Sequence, residues 1–392
     1  MTSAGRAYLD WNAAAPVRAE VAEAVSCAMQ LSGNPSSVHT EGRAARAAIE
    51  RAREQVGALV GAPARMVVFT SGGSEANAFA LTPSLTLGDK LPTTRLLMSA
   101  TEHACVREGH RFPAGAVGII PVSPDGVIDL DALQAALAAT PPGERTLVSV
   151  HLANNETGVI QPVVEIGLIC RQSGALLHVD AVQAAGKIDI DMSTLGADVL
   201  TLSAHKLGGP KGVGAVVFGS GRIEVRERLI RGGGQEKGAR AGTENVAGIV
   251  GFGVAAEAAG AEMAAEGQRQ SALRDRLERD LLALSPETVL FGHAAPRLPN
   301  TSCFATPQVK AENALIFLDL AGVSVSSGSA CSSGKVRASH VLAAMGVPVD
   351  LASGALRISL GRGTTASDID AFLAAYTRVL VALTDRKAEA AA

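Results

Sequence analysis

The chain has 392 residues, of which 47% are hydrophobic and 19% are charged, and its formal net charge is −3. This length fits one large domain or two moderate ones, and so small a net charge argues against nucleic acid or an anionic membrane as a partner. Residues 1–10 lack the basic region and the apolar run of a secretory signal. We also see no apolar stretch of the roughly 18 residues that are needed to span a membrane; the longest candidate is residues 246–256.

The first two thirds of the chain alternate between short apolar runs and helical patterns. A sheet that alternates with helices along the chain is expected to be mostly parallel and covered on both faces. The predicted strands are residues 66–70, 95–99, 118–122, 146–152, 175–180, 197–203 and 214–218, and the predicted helices are residues 37–61, 129–139 and 163–173.

A long helical pattern over residues 248–284 leads out of this first unit. The remainder predicts a smaller α/β unit, against which we expect the first dozen residues to pack. We therefore predict a large domain at residues 13–255 and a small domain made of residues 1–12 and 256–392. The predicted elements of the small domain are strands at 288–291, 301–305, 323–326 and 355–359 and helices at 312–320 and 367–384.

The turn after the first predicted strand reads Thr70-Ser71-Gly72-Gly73-Ser74-Glu75-Ala76-Asn77. Glycines let a backbone approach an anion, and the N–H groups at a helix start bind phosphate, so Gly73 and Ser74 are candidate phosphate ligands. An ordinary strand–helix turn with a serine N-cap is an equally good interpretation. The segment is neither G-x-G-x-x-G nor a Walker loop, which disfavours a nucleotide.

An acid and a lysine end two successive predicted strands. Asp180 closes one strand, and Lys206 follows the next within Ser203-Ala204-His205-Lys206. In enzymes that use pyridoxal phosphate (PLP), a lysine forms a Schiff base with the cofactor and an acid pairs with its pyridine nitrogen. The pattern therefore predicts a PLP site, with Gln183 placed to hydrogen-bond the ring oxygen.

Three further side chains have a functional and a structural interpretation each. His103 could stack on a bound ring and move protons, or be a satisfied structural group. Arg357, flanked by apolar residues, needs a carboxylate partner, which a substrate or an internal ion pair would supply equally well. Asn155 follows a predicted strand and could be a ligand or a turn former.

The chain has five cysteines, and none of them forms a C-x-x-C pair, which disfavours structural zinc. Their odd number and wide spacing predict a reducing cytoplasmic location. Cys331 differs from the others because it lies among serines and glycines, with Lys335 and Arg337 a few residues on. Nearby positive charge favours the thiolate, so Cys331 is a candidate nucleophile. The other cysteines are Cys27, Cys105, Cys170 and Cys303.

These residues together resemble the cysteine desulfurases of the NifS/IscS type, members of the class-V aminotransferases, over nearly the whole chain. The segment Ser326-Ser327-Gly328-Ser329-Ala330-Cys331 is the most specific match. The long segment between Cys331 and His340 is similar to that of the branch with an extended mobile cysteine loop, about residues 326–338. The other matching segments are Tyr8-Leu9-Asp10, Gly33-Asn34-Pro35, Thr70–Asn77, Thr101-Glu102-His103, Asn154–Gly158, His178–Gln183, Ser203–Lys206, Gly232–Thr243 and Arg357–Arg362.

The resemblance implies PLP fold type I, with a mostly parallel seven-stranded sheet in the large domain and a smaller α/β C-terminal domain. Lys206 would bind the cofactor covalently, His103 would stack on its ring and act in proton transfer, and Cys331 would be the nucleophile. Thr243 would reach the phosphate of the partner subunit, which implies a homodimer. The remaining implied ligands are Gly73, Ser74, Ser203 and His205 for phosphate, Asp180, Gln183 and Asn155 for the ring, and Asn34, Asn155 and Arg357 for the substrate carboxylate.

The activity implied is the removal of sulfur from L-cysteine, which leaves L-alanine and a persulfide on Cys331. An iron–sulfur scaffold or another acceptor protein would collect that sulfur, and no resident metal is implied, although Cys331 would be able to ligate a cluster transiently. Two departures stand out: Gly73-Ser74 replaces the frequent Ala-Thr, and Ala338 replaces a frequent proline in the cysteine loop. Competing interpretations are a selenocysteine lyase, a related PLP aminotransferase and a non-catalytic scaffold.

Overall fold

A computed structural model describes residues 5–88, 90–327 and 339–391. The strands in these ranges are β1 (Ala7–Tyr8), β2 (Val67–Thr70), β3 (Leu85–Leu87), β4 (Arg95–Ser99), β5 (Val117–Ile120), β6 (Thr146–His151), β7 (Leu176–Asp180), β8 (Val199–Ser203), β9 (Gly214–Phe218), β10 (Ile223–Val225), β11 (Val289–Leu290), β12 (Thr301–Ala305), β13 (Val323–Ser324), β14 (Ser326–Ser327) and β15 (Leu356–Ser359). The α-helices are α1 (Ala19–Ala28), α2 (Thr40–Leu59), α3 (Gly73–Ala80), α4 (Ala104–Arg107), α5 (Leu130–Ala138), α6 (Val163–Ser173), α7 (Met192–Leu195), α8 (Val246–Leu284), α9 (Ala311–Leu320), α10 (His340–Ala344), α11 (Val349–Ala352) and α12 (Ala366–Ala391).

The central sheet has seven strands in the order β2-β9-β8-β7-β6-β4-β5. Strand β9 is antiparallel to both its neighbours, while the remaining pairs are parallel, which confirms the predicted mostly parallel sheet. The register sets His151 opposite Asp180 and Asp180 opposite Thr201. Because parallel strands end at a common edge, where ligands bind in open α/β sheets, the ends of β6, β7 and β8 lie side by side.

Both faces of this sheet are covered by helices, which is why its strands are apolar along their whole length. Leu177 and Val179 point into one apolar cluster with residues of α2, α6 and α8. Leu176, which precedes Leu177 in sequence, points into the opposite cluster with Phe79 of α3. This alternation fixes β7, and with it Asp180, between two cores.

The last third of the chain forms a second sheet, with the antiparallel order β11-β12-β15-β14. The N-terminal residues join this part of the molecule, as expected: β1 pairs with β13, and Asp10 forms a bridge with Ser359. Helix α8 contributes Phe252 to the core of the central sheet and Leu277 to the core of the second one. The division at residue 255 falls inside this continuous helix and stays a prediction.

Helix α8 is, by length and composition, apolar enough to cross a membrane, a property that was not expected from the sequence. Its small residues instead allow close packing inside the protein. A methyl group at Gly251 would lie 2.5 Å from Val25 Cγ2 of α1, and one at Gly253 would lie 2.6 Å from Ala52 Cα of α2. These contacts make the first half of α8 a core helix of the fold.

A buried ion pair anchors the segment that leads to Thr243. The guanidinium of Arg53 donates to both carboxylate oxygens of Glu236, at 2.7 and 3.0 Å, and both side chains are less than 5% exposed. The same carboxylate accepts the backbone N–H of Phe69 at 3.0 Å. The loop after β10 is thereby tied to the start of the central sheet.

Removal of one partner of this pair is expected to be costly, because it leaves an unpaired buried charge. Arg53→Met should lower the free energy of unfolding by about 3–5 kcal/mol, measured from denaturant midpoints of the purified protein. Arg51→Met is the matched control, since Arg51 is exposed on the same helix and should change it by less than about 0.5 kcal/mol. Equal effects of the two substitutions would contradict the structural role of Arg53.

Candidate active site

A cavity of about 420 Å³ opens at the carboxyl edge of the central sheet. It brings together residues from both sheets and from the N-terminal segment. Many of these residues are predicted site residues that lie far apart along the chain. The predicted residues that line it are Gly73, Ser74, His103, Asn155, Asp180, Gln183, Ser203, His205, Lys206 and Arg357.

Lys206 lies one short turn beyond β8 and is half-buried. Its Nζ donates to the backbone carbonyls of Asn12, at 2.6 Å, and Ala13, at 3.0 Å, and no carboxylate among the described residues forms an ion pair with it. Burial, and after it the positive charge of Arg357, lowers the pKa of the Lys206 amine to about 8. The amine is therefore close to the neutral, nucleophilic form that covalent attachment to an aldehyde requires.

Asp180 is buried at the end of β7, where two donors hold its carboxylate. Asn77 Nδ2 donates to Oδ2 at 2.8 Å, and the backbone N–H of Val182 donates to Oδ1 at 2.9 Å. One turn later, Gln183 donates from Nε2 to the carbonyl of Asn12 at 2.9 Å. Both side chains are held in place and line the cavity, as a PLP ring with a protonated pyridine nitrogen would require.

The turn before α3 is open to an anion. Gly72, not Ser74, is the N-cap residue, and no side chain caps the helix start, so the serine N-cap interpretation is wrong. A methyl group at Gly73 would lie 3.1 Å from Val182 Cγ2 and 3.3 Å from Ser203 Cβ, which is tighter than most real contacts and leaves little room for a larger residue. This uncapped helix start, with the hydroxyls of Ser74 and Ser203, fits a phosphate group.

His205 precedes Lys206 in the chain and lines the same cavity as Gly73 and Ser74. Burial, followed by the charges of Lys206 and Lys211, lowers the pKa of its imidazole to about 4. The ring is therefore neutral at physiological pH and would bind a phosphate by hydrogen bonding rather than by charge. Together with Asp180 and Lys206, these residues fit PLP.

His103 caps α4 and faces the same cavity. Its Nδ1 accepts the backbone N–H of Cys105 at 3.2 Å and lies 2.9 Å from Cys105 Sγ. Desolvation, partly offset by the charge of Asp180, lowers the pKa of the ring. The structural interpretation of His103 is thus confirmed, and the predicted role in proton transfer is compatible with it because the cap uses only one of the two ring nitrogens.

Arg357 is buried on β15, and the internal ion pair considered from sequence is present. Its guanidinium donates to Asp10 Oδ1 at 2.6 Å and to the carbonyl of Asn155 at 3.0 Å. Its Nε has no hydrogen-bond partner among the described residues. Arg357 also lines the cavity, where a substrate carboxylate would give its positive charge a second partner.

Two of the predicted site residues that the structure describes, Asn34 and Thr243, do not line this cavity. Asn34 is exposed, and its side chain accepts the backbone N–H of Ser36 at 2.9 Å. Thr243 lines a separate cavity of about 240 Å³ with Ser71. Cys331 lies outside the described residues, as do positions 328–338 of the predicted cysteine loop, although Ser326, where that loop is predicted to begin, lines the main cavity.

Sequence reasoning missed several side chains of the cavity wall. Asn77 had a usable signal, since it follows Ser74 by three residues and so shares its side of a helix. Asn12 had a weaker signal, since its amide comes just after the matching segment Tyr8-Leu9-Asp10. His151 also had a weak signal, as the residue that ends β6. The residues that were missed are Asn12, Asn77, Cys105 and His151.

The aminotransferase class-V family model matches residues 7–372 of this chain. Cysteine desulfurase IscS from Dictyoglomus turgidum is 41% identical over 377 residues, which are 95% of this chain and 94% of that protein. Among solved structures, a NifS-like protein from Rickettsia africae is 35% identical, with a TM-score of 0.87 over 96% of this chain and 99% of that one. SspA in complex with cysteine is 32% identical, with a TM-score of 0.74 over 90% and 98% of the two chains.

The lowered pKa of Lys206 predicts selective chemical modification of the apoprotein. At pH 8 about half of this amine is neutral, so cyanate should carbamylate Lys206 several-fold faster than the exposed Lys211. The rate at Lys206 should rise with pH through a midpoint near 8, as followed by quantitative peptide mapping. A rate at Lys206 no greater than that at Lys211 would contradict this environment.

Proposed function

This chain belongs to the aminotransferase class-V family, and from that premise we propose that it is a PLP-dependent cysteine desulfurase. Its architecture is that of the NifS-like fold-type I enzymes. The substrate is L-cysteine, and the products are L-alanine and a persulfide on Cys331. The observation that carries the proposal is the single cavity that holds Lys206, Asp180 and Arg357, with Ser326 in its wall.

The chemistry divides between the cofactor and the protein. PLP, when bound, supplies an aldehyde for covalent attachment and a sink for negative charge that develops on the substrate. Lys206 would supply the attaching amine and, as a free amine, would remove the proton from the substrate Cα. Asp180 would accept a hydrogen bond from the pyridine nitrogen and keep a proton there, and Gln183 would contact the ring oxygen.

The substrate carboxylate is proposed to bind at Arg357 and Asn155. The position of Arg357 in the cavity wall and its hydrogen bond to the carbonyl of Asn155 at 3.0 Å support this role. A contact between Asn34 and the substrate carboxylate is also proposed, and it rests on the family resemblance of Gly33-Asn34-Pro35 alone. This fixed carboxylate would orient the substrate thiol toward the segment that begins at Ser326.

The sulfur transfer itself is assigned to Cys331. Its thiolate attacks the substrate sulfur and forms an S–S bond, while the C–S bond of the substrate breaks. The electron pair of that bond goes to the carbon skeleton of the substrate, which takes up one proton at Cβ and regains one at Cα to become alanine. His103 is proposed to deliver protons in this step, because its Nε2 is not used in the capping hydrogen bond of α4.

A homodimer and a protein that accepts the persulfide sulfur complete the proposal. The second cavity, beside Thr243 and Arg240, is where we place the contact with the phosphate of the partner subunit's site. The acceptor is proposed to be an iron–sulfur scaffold or another sulfur carrier, in line with the name IscS of one relative. A cytoplasmic location is in keeping with the free state of Cys27, Cys105, Cys170 and Cys303.

The nucleophile assignment predicts a specific defect in Cys331→Ala. This variant should keep the visible absorbance of bound PLP and still bind cysteine, yet form no persulfide and release no sulfide or alanine above background. Cys27→Ala, which removes an exposed thiol from α1, is the control and should retain full activity. Normal alanine production by Cys331→Ala would contradict the mechanism, and steady keto-acid formation would point to an aminotransferase.

The carboxylate assignment predicts a loss of binding in Arg357→Gln. Loss of a charge-assisted hydrogen bond worth about 1.5–3 kcal/mol should raise KM for L-cysteine roughly 10- to 150-fold. Cysteamine, which lacks the carboxylate, should be processed equally well by this variant and by the native enzyme. Arg362→Gln, at an exposed position, is the control, and an equal effect of Arg357→Gln on both substrates would contradict the assignment.

A further inference from the structure

We propose that Cys105 is a positioning residue that holds the His103 ring in its Nε2–H tautomer through a thiol hydrogen bond to Nδ1. The consequence for proton transfer rests on the proposed desulfurase function, whereas the hydrogen bond itself does not. Cys105 lies on α4, and its thiol lines the wall of the main cavity.

The direction of the hydrogen bond follows from the backbone. Nδ1 of His103 accepts the N–H of Cys105 at 3.2 Å, so this nitrogen presents a lone pair and carries no proton. The thiol sulfur lies 2.9 Å from the same nitrogen. Two groups in contact with one acceptor must both donate, so the S–H of Cys105 points at Nδ1 and the ring proton is on Nε2.

The thiol sulfur of Cys105 also contacts the buried side-chain amide of Asn77. The carboxylate of Asp180 can only accept and so assigns the nitrogen of the Asn77 amide, while Asn77 Oδ1 accepts from Thr201 Oγ1 at 2.7 Å. Asn77 Nδ2 then donates to Asp180 Oδ2 at 2.8 Å and lies 3.1 Å from Cys105 Sγ. The sulfur accepts from Asn77 and donates to His103, so a continuous chain links Asp180 to the histidine ring.

Cys105 keeps its proton in this environment. Burial, and after it the negative charge of Asp180, raises the pKa of the thiol to about 12. A thiol that stays protonated is a hydrogen-bond donor and a poor nucleophile. Cys105 therefore serves a different purpose from the one proposed for Cys331.

The thiol also opposes protonation of His103. A hydrogen bond to the neutral form of a base lowers its pKa, and here the thiol donates to a lone pair that protonation would use. Loss of the donor should therefore raise the pKa of His103. The charged and titratable groups that face this ring are Asp180 and Glu102, which raise its pKa, Lys206 and His151, which lower it, and His340.

The test uses full-length holoenzyme labelled with ¹⁵N at its histidines, with the His103 signals assigned by His103→Gln. In the native protein the ¹⁵N shifts should report a single Nε2–H tautomer. Cys105→Ala should raise the pKa of His103 by roughly 0.5–1 unit and mix the two tautomers. Cys105→Ser keeps a donor and should restore both properties, while Cys27→Ala should change neither.

The acidic limb of the pH profile for kcat/KM should move in the same direction as the pKa of His103. An unchanged His103 titration in Cys105→Ala, or an equal shift in Cys27→Ala, would overturn the inference. Abolished sulfur transfer in Cys105→Ala with a normal His103 titration would also overturn it, because the thiol would then act as a nucleophile. The NMR readout needs no turnover, so failure of the desulfurase activity itself would be seen separately in the alanine assay of the native enzyme.

Discussion

A buried carboxylate at the end of β7, Asp180, is the interaction on which the rest of the site depends. The sheet register holds it between His151 and Thr201, and Asn77 and the backbone of Val182 satisfy its oxygens. Desolvation is the largest influence on the pKa values of His103, Cys105 and Lys206, and the negative charge of Asp180 raises all three. One side chain therefore acts on titratable groups from several different elements.

The fold turns this local arrangement into a cavity with two distinct walls. The central sheet and the turn before α3 supply Gly73, Asp180 and Lys206, while the second sheet supplies Arg357 and Ser326. Residues 8–14 join the two, because Asp10 pairs with Arg357 and the carbonyl of Asn12 accepts from Lys206. The proposed substrate at Arg357 would therefore face the proposed cofactor at the central sheet, and Ser326, where the predicted cysteine loop begins, lines the same cavity.

Local patterns were sufficient to predict most of the elements and the residues at their ends. The apolar runs of β4, β9 and β12 and the helix α6 are bounded by polar or turn residues, and their predicted limits agree with the structure. Short elements were missed, among them α1 and the β3–β10 pair, because three to ten residues carry little periodicity. Asp180 and Lys206 were predictable because each ends a strongly apolar strand.

Contacts between distant parts of the chain were not predictable from one sequence. The Asp10–Arg357 pair joins residues 347 positions apart, and the Asn77–Cys105 contact depends on how α3 and α4 pack. The most direct test of the whole account is borohydride reduction of the holoenzyme followed by peptide mapping of the reduced cofactor. The account predicts the label on Lys206 alone, and a label on Lys187, Lys211 or any other lysine would contradict it.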